Sequence, residues 1–207
     1  MPRTLYTSLV ALAVAQAAAC SETDEFAPAT ASCPEDMVYV PYTGYCIDRW
    51  EASLDAQGRA VSAPGVLPAT EVSWTEADAA CKAAGKALCP RDVWMKACTA
   101  GGTRDYPYGD EYEPDACNGG TSTGLLVPTG QLSSCEGGLP GLFDMVGNAW
   151  EWELEHENVA SPPLEPVCWL RAGYYMGWAD AMRCGFNMLN DCEGETGSGI
   201  RCCGRAE

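Results

Sequence analysis

Apolar and polar positions alternate along two kinds of period in this chain. From Met37, MVYVPYTGYCIDRWEAS alternates with a period of two around a turn at Gly44, which predicts a β-hairpin. Cys33 and Cys46 flank that hairpin within plausible bridging reach. Gln57 to Ala69 is punctuated by Gly58, Pro64, Gly65 and Pro68 and reads as a surface loop. The period then changes to that of a helix. Thr75 to Asp78 has the form of a capping box, Ala77, Ala80, Cys81 and Ala84 make one apolar stripe, and Gly85 stops it. A second helix starts near Pro90, presents Val93, Trp94, Ala97 and Cys98 inward, and ends at Gly101-Gly102. Beyond it, short apolar pieces are separated by Gly, Pro, Asn and Asp, without an internal repeat. Two early helices followed by short strands predict an α+β domain with little regular secondary structure.

The beginning of the chain differs in kind. Met1–Ala19 carries Arg3, the apolar run LVALAVA and small residues directly before Cys20, the pattern of a secretory signal. Residues 20–32 are polar, acidic and rich in Ala and Pro, which predicts a flexible tether, with the domain occupying residues 33–207. The sequence AAAC resembles a bacterial lipoprotein cleavage box, with Ala17 where leucine is commoner. Ordinary cleavage, with Cys20 free or paired, is the competing reading.

Composition bears on that choice. Thirteen cysteines suit an oxidising compartment. Their odd number leaves one over, and removing a lipidated Cys20 leaves twelve, enough for six bridges. The expected location is therefore extracytoplasmic, as a bacterial cell-envelope lipoprotein or a secreted protein, with membrane attachment only through the lipid. Twelve Lys and Arg against twenty-nine Asp and Glu give a formal net charge of −17, which disfavours nucleic acid as a partner.

Several stretches, in order, resemble one family. VSWTEADAACKAAGKALCPRDVWMKACTAGG, YPYGDEYEPDACN, GLFDMVGNAWEW, LRAGYYM and GIRC are similar to successive motifs of the formylglycine-generating enzyme, or sulfatase-modifying factor, family. GLFDMVGNAWEW is nearly that family's G-L-Y-D-M-x-G-N-V-W-E-W. The resemblance spans Met37 to Cys203 and implies a single, irregular C-type-lectin-like α+β domain. It also implies the bridges Cys81–Cys202 and Cys98–Cys184, and leaves the other pairings open, including those of Cys89 and Cys203.

The family's activity depends on two cysteines that hold copper(I), a soft ion selected by thiolates. Counting back from Cys184, which matches a structural cysteine, those positions fall on Tyr174 and Ala179, or on Gly177 and Met182 after a two-residue shift. Neither register supplies a thiol, so copper is not expected. A related iron-dependent branch needs several histidines, and this chain has one, His156. G-x-S-x-G, H-E-x-x-H and phosphate-loop motifs are absent.

What the resemblance does imply is calcium, held by Asp144, the carbonyls of Gly147 and Ala149, and Glu151. Mixed carboxylate and carbonyl oxygens suit this hard cation. The alternative is that Asp144 caps a turn and Glu151 pairs with Arg171 or Arg201. A second family calcium site starts at the residue matching Asn118, but its later acidic ligand has no counterpart. Tyr174, Tyr175, Trp178 and Trp169 are candidates for a groove that takes a peptide or a glycan. The expectation is a non-catalytic, calcium-stabilised binding or structural module. The competing class is a divergent formylglycine-generating oxidoreductase acting on a protein cysteine.

Overall fold

The computed structural model describes residues 31–120, 124–158 and 166–207. The expected signal segment, Cys20 and the tether up to residue 30 lie outside the described residues. In chain order the elements are β1 (Met37–Val40), β2 (Tyr45–Asp48), β3 (Ala52–Leu54), β4 (Ala60–Ser62), α1 (Trp74–Ala83), β5 (Ala87–Leu88), α2 (Arg91–Cys98), β6 (Trp150–Asn158), β7 (Pro166–Arg171), β8 (Asn187–Asn190), β9 (Ser198–Gly199) and β10 (Cys202–Arg205). Short 3-10 turns occupy Ser133–Cys135 and Ala179–Met182. No described helix is long and apolar enough to cross a membrane.

The hairpin expected after Met37 is present: β1 and β2 pair antiparallel from Met37↔Asp48 to Val40↔Tyr45. The C-terminal β10 then inserts between β2 and β5, giving a first sheet of order β1-β2-β10-β5. A second four-stranded sheet has the order β8-β7-β6-β9 and includes one nine-residue strand, β6, longer than the short pieces the pattern suggests. Its Pro166 and Asn158 close the β6–β7 pairing at one end.

Both helices form where the periodicity places them, with corrected ends. The capping box of α1 is Ser73–Glu76: Ser73 Oγ accepts from the Glu76 amide at 3.2 Å, and the Glu76 carboxylate accepts from the Ser73 amide at 2.9 Å. Thr75 and Asp78 do not form the box, because Asp78 is buried against the helix and takes the Lys82 ammonium at 2.6 Å. Pro90 is the residue that caps α2, one position before the first helical residue, where its missing N–H costs nothing. Gln57–Ala69 is also corrected, since Ala60–Ser62 forms a strand against β3. The Asp55 carboxylate holds the tight turn by accepting from the amides of Gln57 and Arg59, both at 2.9 Å. A strand of three residues is too short to show a period.

Two apolar clusters share the interior. One gathers Ile47, Val93, Trp94, Leu142, Met145 and Met182; the other gathers Leu88, Trp150, Trp152, Leu170 and Ile200. Six disulfides stitch them: Cys33–Cys46, Cys81–Cys202, Cys89–Cys203, Cys98–Cys184, Cys117–Cys135 and Cys168–Cys192. The three that span 121, 114 and 86 residues tie the helical half to the C-terminal strands. Each is worth roughly 4–5 kcal/mol in the chain-entropy model. The adjacent Cys202 and Cys203 point to opposite faces of β10, as successive strand residues must, and so reach different partners.

Candidate functional site

The segment Gly141–Trp152 runs into β6, whose alternation explains its W-E-W core. Trp150 and Trp152 face the second apolar cluster, whereas Glu151 faces the opposite side. There its two oxygens accept from Arg201 Nε at 2.7 Å and from Trp94 Nε1. Arg201 is fully buried and spends its other donors on the carbonyls of Asp48 at 2.8 Å, Phe143 at 2.9 Å and Asp144 at 3.1 Å. Thus Glu151 pairs with Arg201, while Arg171 pairs with Glu153, which also receives Arg91 at 2.9 Å.

Two more buried carboxylates enter the same centre. Asp144 has its side chain on the Gly130 amide at 2.6 Å. Glu51 accepts from the Ala149 amide at 2.7 Å and from Asn148 Nδ2 at 2.5 Å. The sequence reading missed Glu51. A signal did exist: Trp-Glu occurs at Trp50-Glu51 and again at Trp150-Glu151, and both carboxylates converge here. The Asn148 carboxamide oxygen accepts from Asn118 Nδ2 at 2.9 Å and from the Val127 amide at 3.0 Å. Asn118, expected only as the start of a second calcium site, therefore anchors this loop.

Burial pushes Glu51 well above its ordinary range, and the negative charges of Asp144 and Glu151 add to the effect, against Arg201 and Asn148. Asp144 and Glu151 are also raised by burial, each opposed by Arg201 and by a hydrogen-bond donor. Three carboxylates thus surround one guanidinium.

Asp144, Gly147, Ala149 and Glu151 do share one loop. However, Arg201 draws together oxygens that a hard cation would otherwise use, and both Glu151 oxygens already have donors. The four residues fit calcium as a complete ligand set only if Glu151 leaves those partners. No metal-holding group of three His, Cys, Asp or Glu occurs among the described residues. Gly147 is required for another reason: with φ +78°, a Cβ there would lie 2.5 Å from the Asn118 carbonyl.

The neighbouring segment, Arg171–Cys184, holds three of the four expected groove aromatics. Tyr174 is half-buried and stacks on Trp150 at 5.6 Å, Tyr175 meets Tyr174 edge-on at 5.1 Å, and Trp178 is 53% exposed with its ring against Phe186 at 5.5 Å. Trp169 is apart from them on β7, opposite Leu189 and beneath the Arg91 guanidinium at 5.1 Å. None of these four rings lines the surface hollow of about 520 Å³ beside Lys96, Arg104 and Arg183. Tyr174, Ala179, Gly177 and Met182 stand at the positions considered for copper, and Cys184 is bonded to Cys98. His156 is exposed and lies against Trp74 at 4.6 Å.

Residues 24–206 match the sulfatase-modifying factor enzyme 1-like domain. The chain belongs to this family. A curated relative, the inactive C-alpha-formylglycine-generating enzyme 2 of Bos taurus, is 30% identical over 124 residues, covering 55% of this chain and 40% of that protein. The formylglycine-generating enzyme of Bos taurus is 33% identical over 121 residues, covering 48% of this chain and 30% of its own length. This chain thus spans well under half of either relative. Among solved structures, CarF aligns with a TM-score of 0.61 at 17% identity, over 79% of this chain and 86% of its own. PvdO from Pseudomonas aeruginosa aligns at 0.54 and 16% identity, over 79% and 80%. The Major Tropism Determinant P3c variant aligns at 0.56 and 14%, over 85% of this chain and 54% of that one. At such identities the three structures share the fold alone.

Proposed function

We propose that this sulfatase-modifying-factor-like domain is non-catalytic and serves as an exported binding or structural module, held at the cell envelope by a lipid on Cys20. One observation carries the non-catalytic reading. All twelve cysteines from Cys33 to Cys203 are bonded in pairs, so the described residues offer no thiolate pair for copper(I). Similarity to a relative named as inactive agrees with it. The paired cysteines also suit an extracytoplasmic compartment.

Copper(I) titration with oxygen uptake on a cysteine-containing peptide tests this directly. We expect no stoichiometric binding and no turnover; tight copper binding with turnover would establish the oxidoreductase reading instead. Lipidation is tested by intact mass of membrane-extracted protein, expected to show acyl mass on an N-terminal Cys20. A soluble chain with Cys20 unmodified would refute the anchor.

Calcium belongs to this proposal as a stabiliser of the Asp144–Glu151 loop. What supports it is the excess of three buried carboxylates over one guanidinium, which favours an added cation. What opposes it is the engagement of Glu151 by Arg201 and Trp94. Chelation, described below, separates the two.

A further inference from the structure

On a chain with a formal net charge of −17, one face collects cations. Lys96, Arg104 and Arg183 line the hollow of about 520 Å³ at the C-terminal end of α2. A second hollow of about 360 Å³ shares Lys96 and Gly101 with it and is walled by Pro41, Tyr42 and Leu139. A third, about 250 Å³, shares Arg104 with the first and Leu139 with the second. The three are therefore one continuous surface, with Lys96, Arg104 and Arg183 along one side and apolar walls along the other; its two carboxylates are engaged, Asp105 by Arg183 and Glu136 by the Gly141 amide at 2.7 Å.

The cations differ in what they have to offer. Arg183 is neutralised by Asp105 at 2.7 Å and lies over the Tyr106 ring. Arg104 spends one nitrogen on the Pro107 carbonyl at 3.0 Å and is in no salt bridge among the described residues. The Lys96 ammonium has no hydrogen-bond or ion-pair partner among the described residues. Two exposed cations thus stand outside any salt bridge among the described residues, beside an apolar wall where Tyr42 is 89% exposed.

The surface is also preformed. The turn after α2 is tied by Gly101 N to the Lys96 carbonyl at 2.8 Å and by Arg104 N to the Thr99 carbonyl at 3.1 Å. Cys98–Cys184 fixes the helix end to the segment bearing Arg183. The loop before Leu139 rests so closely on α2 that a Cβ at Gly138 would lie 2.0 Å from the Ala97 carbonyl. Little order has to be imposed when something binds.

We propose that this face docks an acidic, extended peptide segment of a partner protein, with carboxylates at Lys96 and Arg104 and an apolar side chain against Tyr42 and Leu139. Charge complementarity selects the partner: Arg59 and Lys86 beside Val61 are already paired with Asp55, Asp36 and Asp48, whereas Lys96 and Arg104 adjoin an apolar wall without such a pair. This deepens the binding-module reading, and its test does not depend on copper or oxygen.

Fluorescence anisotropy of a labelled EELEEL peptide with the full chain is the measurement, at ~50 mM and ~300 mM salt. We expect saturable binding that weakens with salt, and that falls roughly tenfold in Lys96→Glu with Arg104→Glu. Tyr42→Ala should weaken it by about threefold, the loss expected for one partly buried ring. Lys96, Arg104 and Tyr42 are exposed, so unchanged melting curves will show that the variants fold. Absence of saturable binding, equal binding of KKLKKL, or full affinity in the double variant would each overturn the proposal. Equal affinity for inorganic phosphate or a sulfated glycan, with no response to Tyr42→Ala, would also overturn it, since a bare anion site needs no apolar wall. Oxidase activity without peptide binding would defeat the two readings separately, and peptide binding with oxidase activity would defeat only the non-catalytic one.

Discussion

The loop Gly141–Trp152 and the segment Arg171–Cys184 touch along their length, yet they do different work. Gly147 donates to the Ala172 carbonyl at 2.8 Å, and Tyr175 donates to the Asn148 carbonyl at 3.0 Å. In the loop every side-chain carboxylate has a donor, and one buried arginine binds three carbonyls and a carboxylate. In the adjoining segment, aromatic rings stack on the core or face solvent, and its one cysteine is spent on a disulfide. The loop carries the family's most recognisable motif because it builds the fold. The segment is where the resemblance places the family's chemistry, and Tyr174, Gly177, Ala179 and Met182 stand at the positions considered for its copper ligands. Family membership and activity are therefore written in neighbouring but separate stretches.

The strongest way to break this contrast is at Arg201. Arg201→Met leaves Glu151 buried without a counter-charge and three carbonyls without a donor, and should cost roughly 3–5 kcal/mol in urea unfolding. A loss under about 1 kcal/mol would mean the centre is not what holds the loop. Next in size, replacing both Cys98 and Cys184 by Ala should cost about 2–5 kcal/mol under non-reducing conditions, with no gain of copper chemistry. If copper binding appeared, the segment would not be inert.

A smaller effect separates the loop by pH. Glu51, Asp144 and Glu151 are held above their ordinary values, so between those values and their folded ones the native state binds more protons than the unfolded chain. Their contribution is fully present in acid, below the ordinary carboxylate range, and is lost as pH rises through the folded values. Stability should thus decline from mild acid towards neutral and alkaline pH, and Glu51→Gln should flatten that decline when melting is followed across pH. A slope equal to that of the wild type would remove Glu51 from the account.

Chelation should produce a change of a few degrees in melting temperature if calcium shares this loop, through simple mass action. Asp144→Asn with Glu151→Gln should abolish the difference; identical wild-type curves with and without chelator would leave Arg201 as the sole cation of the loop. The smallest effect belongs to the segment's surface, where Trp178→Ala removes the edge contact with Phe186 and should cost about 0.5–1.5 kcal/mol.

Much of the fold was legible because it depends on near neighbours. The helical stripe Ala77, Ala80, Cys81 and the inward set Val93, Trp94, Ala97, Cys98 follow directly from a period of 3.6, and all are buried. The capping box lies two residues earlier than expected: Ser73 and Thr75 are both competent caps, but only Ser73 has a glutamate three residues on, long enough to reach back to the cap amide. The β3–β4 hairpin escaped notice because its Asp55 turn is polar and its strands are short. Of the four rings expected to line a groove, Tyr174, Tyr175 and Trp178 share one segment, Tyr174 packs on Trp150, and Trp169 belongs to β7.

By itself, the sequence determined the helices and a cysteine count compatible with six bridges. These are properties of composition and of spacing over a few residues. Only the tertiary structure decided that Glu151 meets Arg201 across 50 residues, that Glu51 reaches Ala149 across 98, and that Lys96 and Arg104 border one apolar surface. Such pairings carry no local period. They form because closing the C-terminal strands onto the first hairpin brings distant polar groups out of water together, where each must find a partner or be penalised.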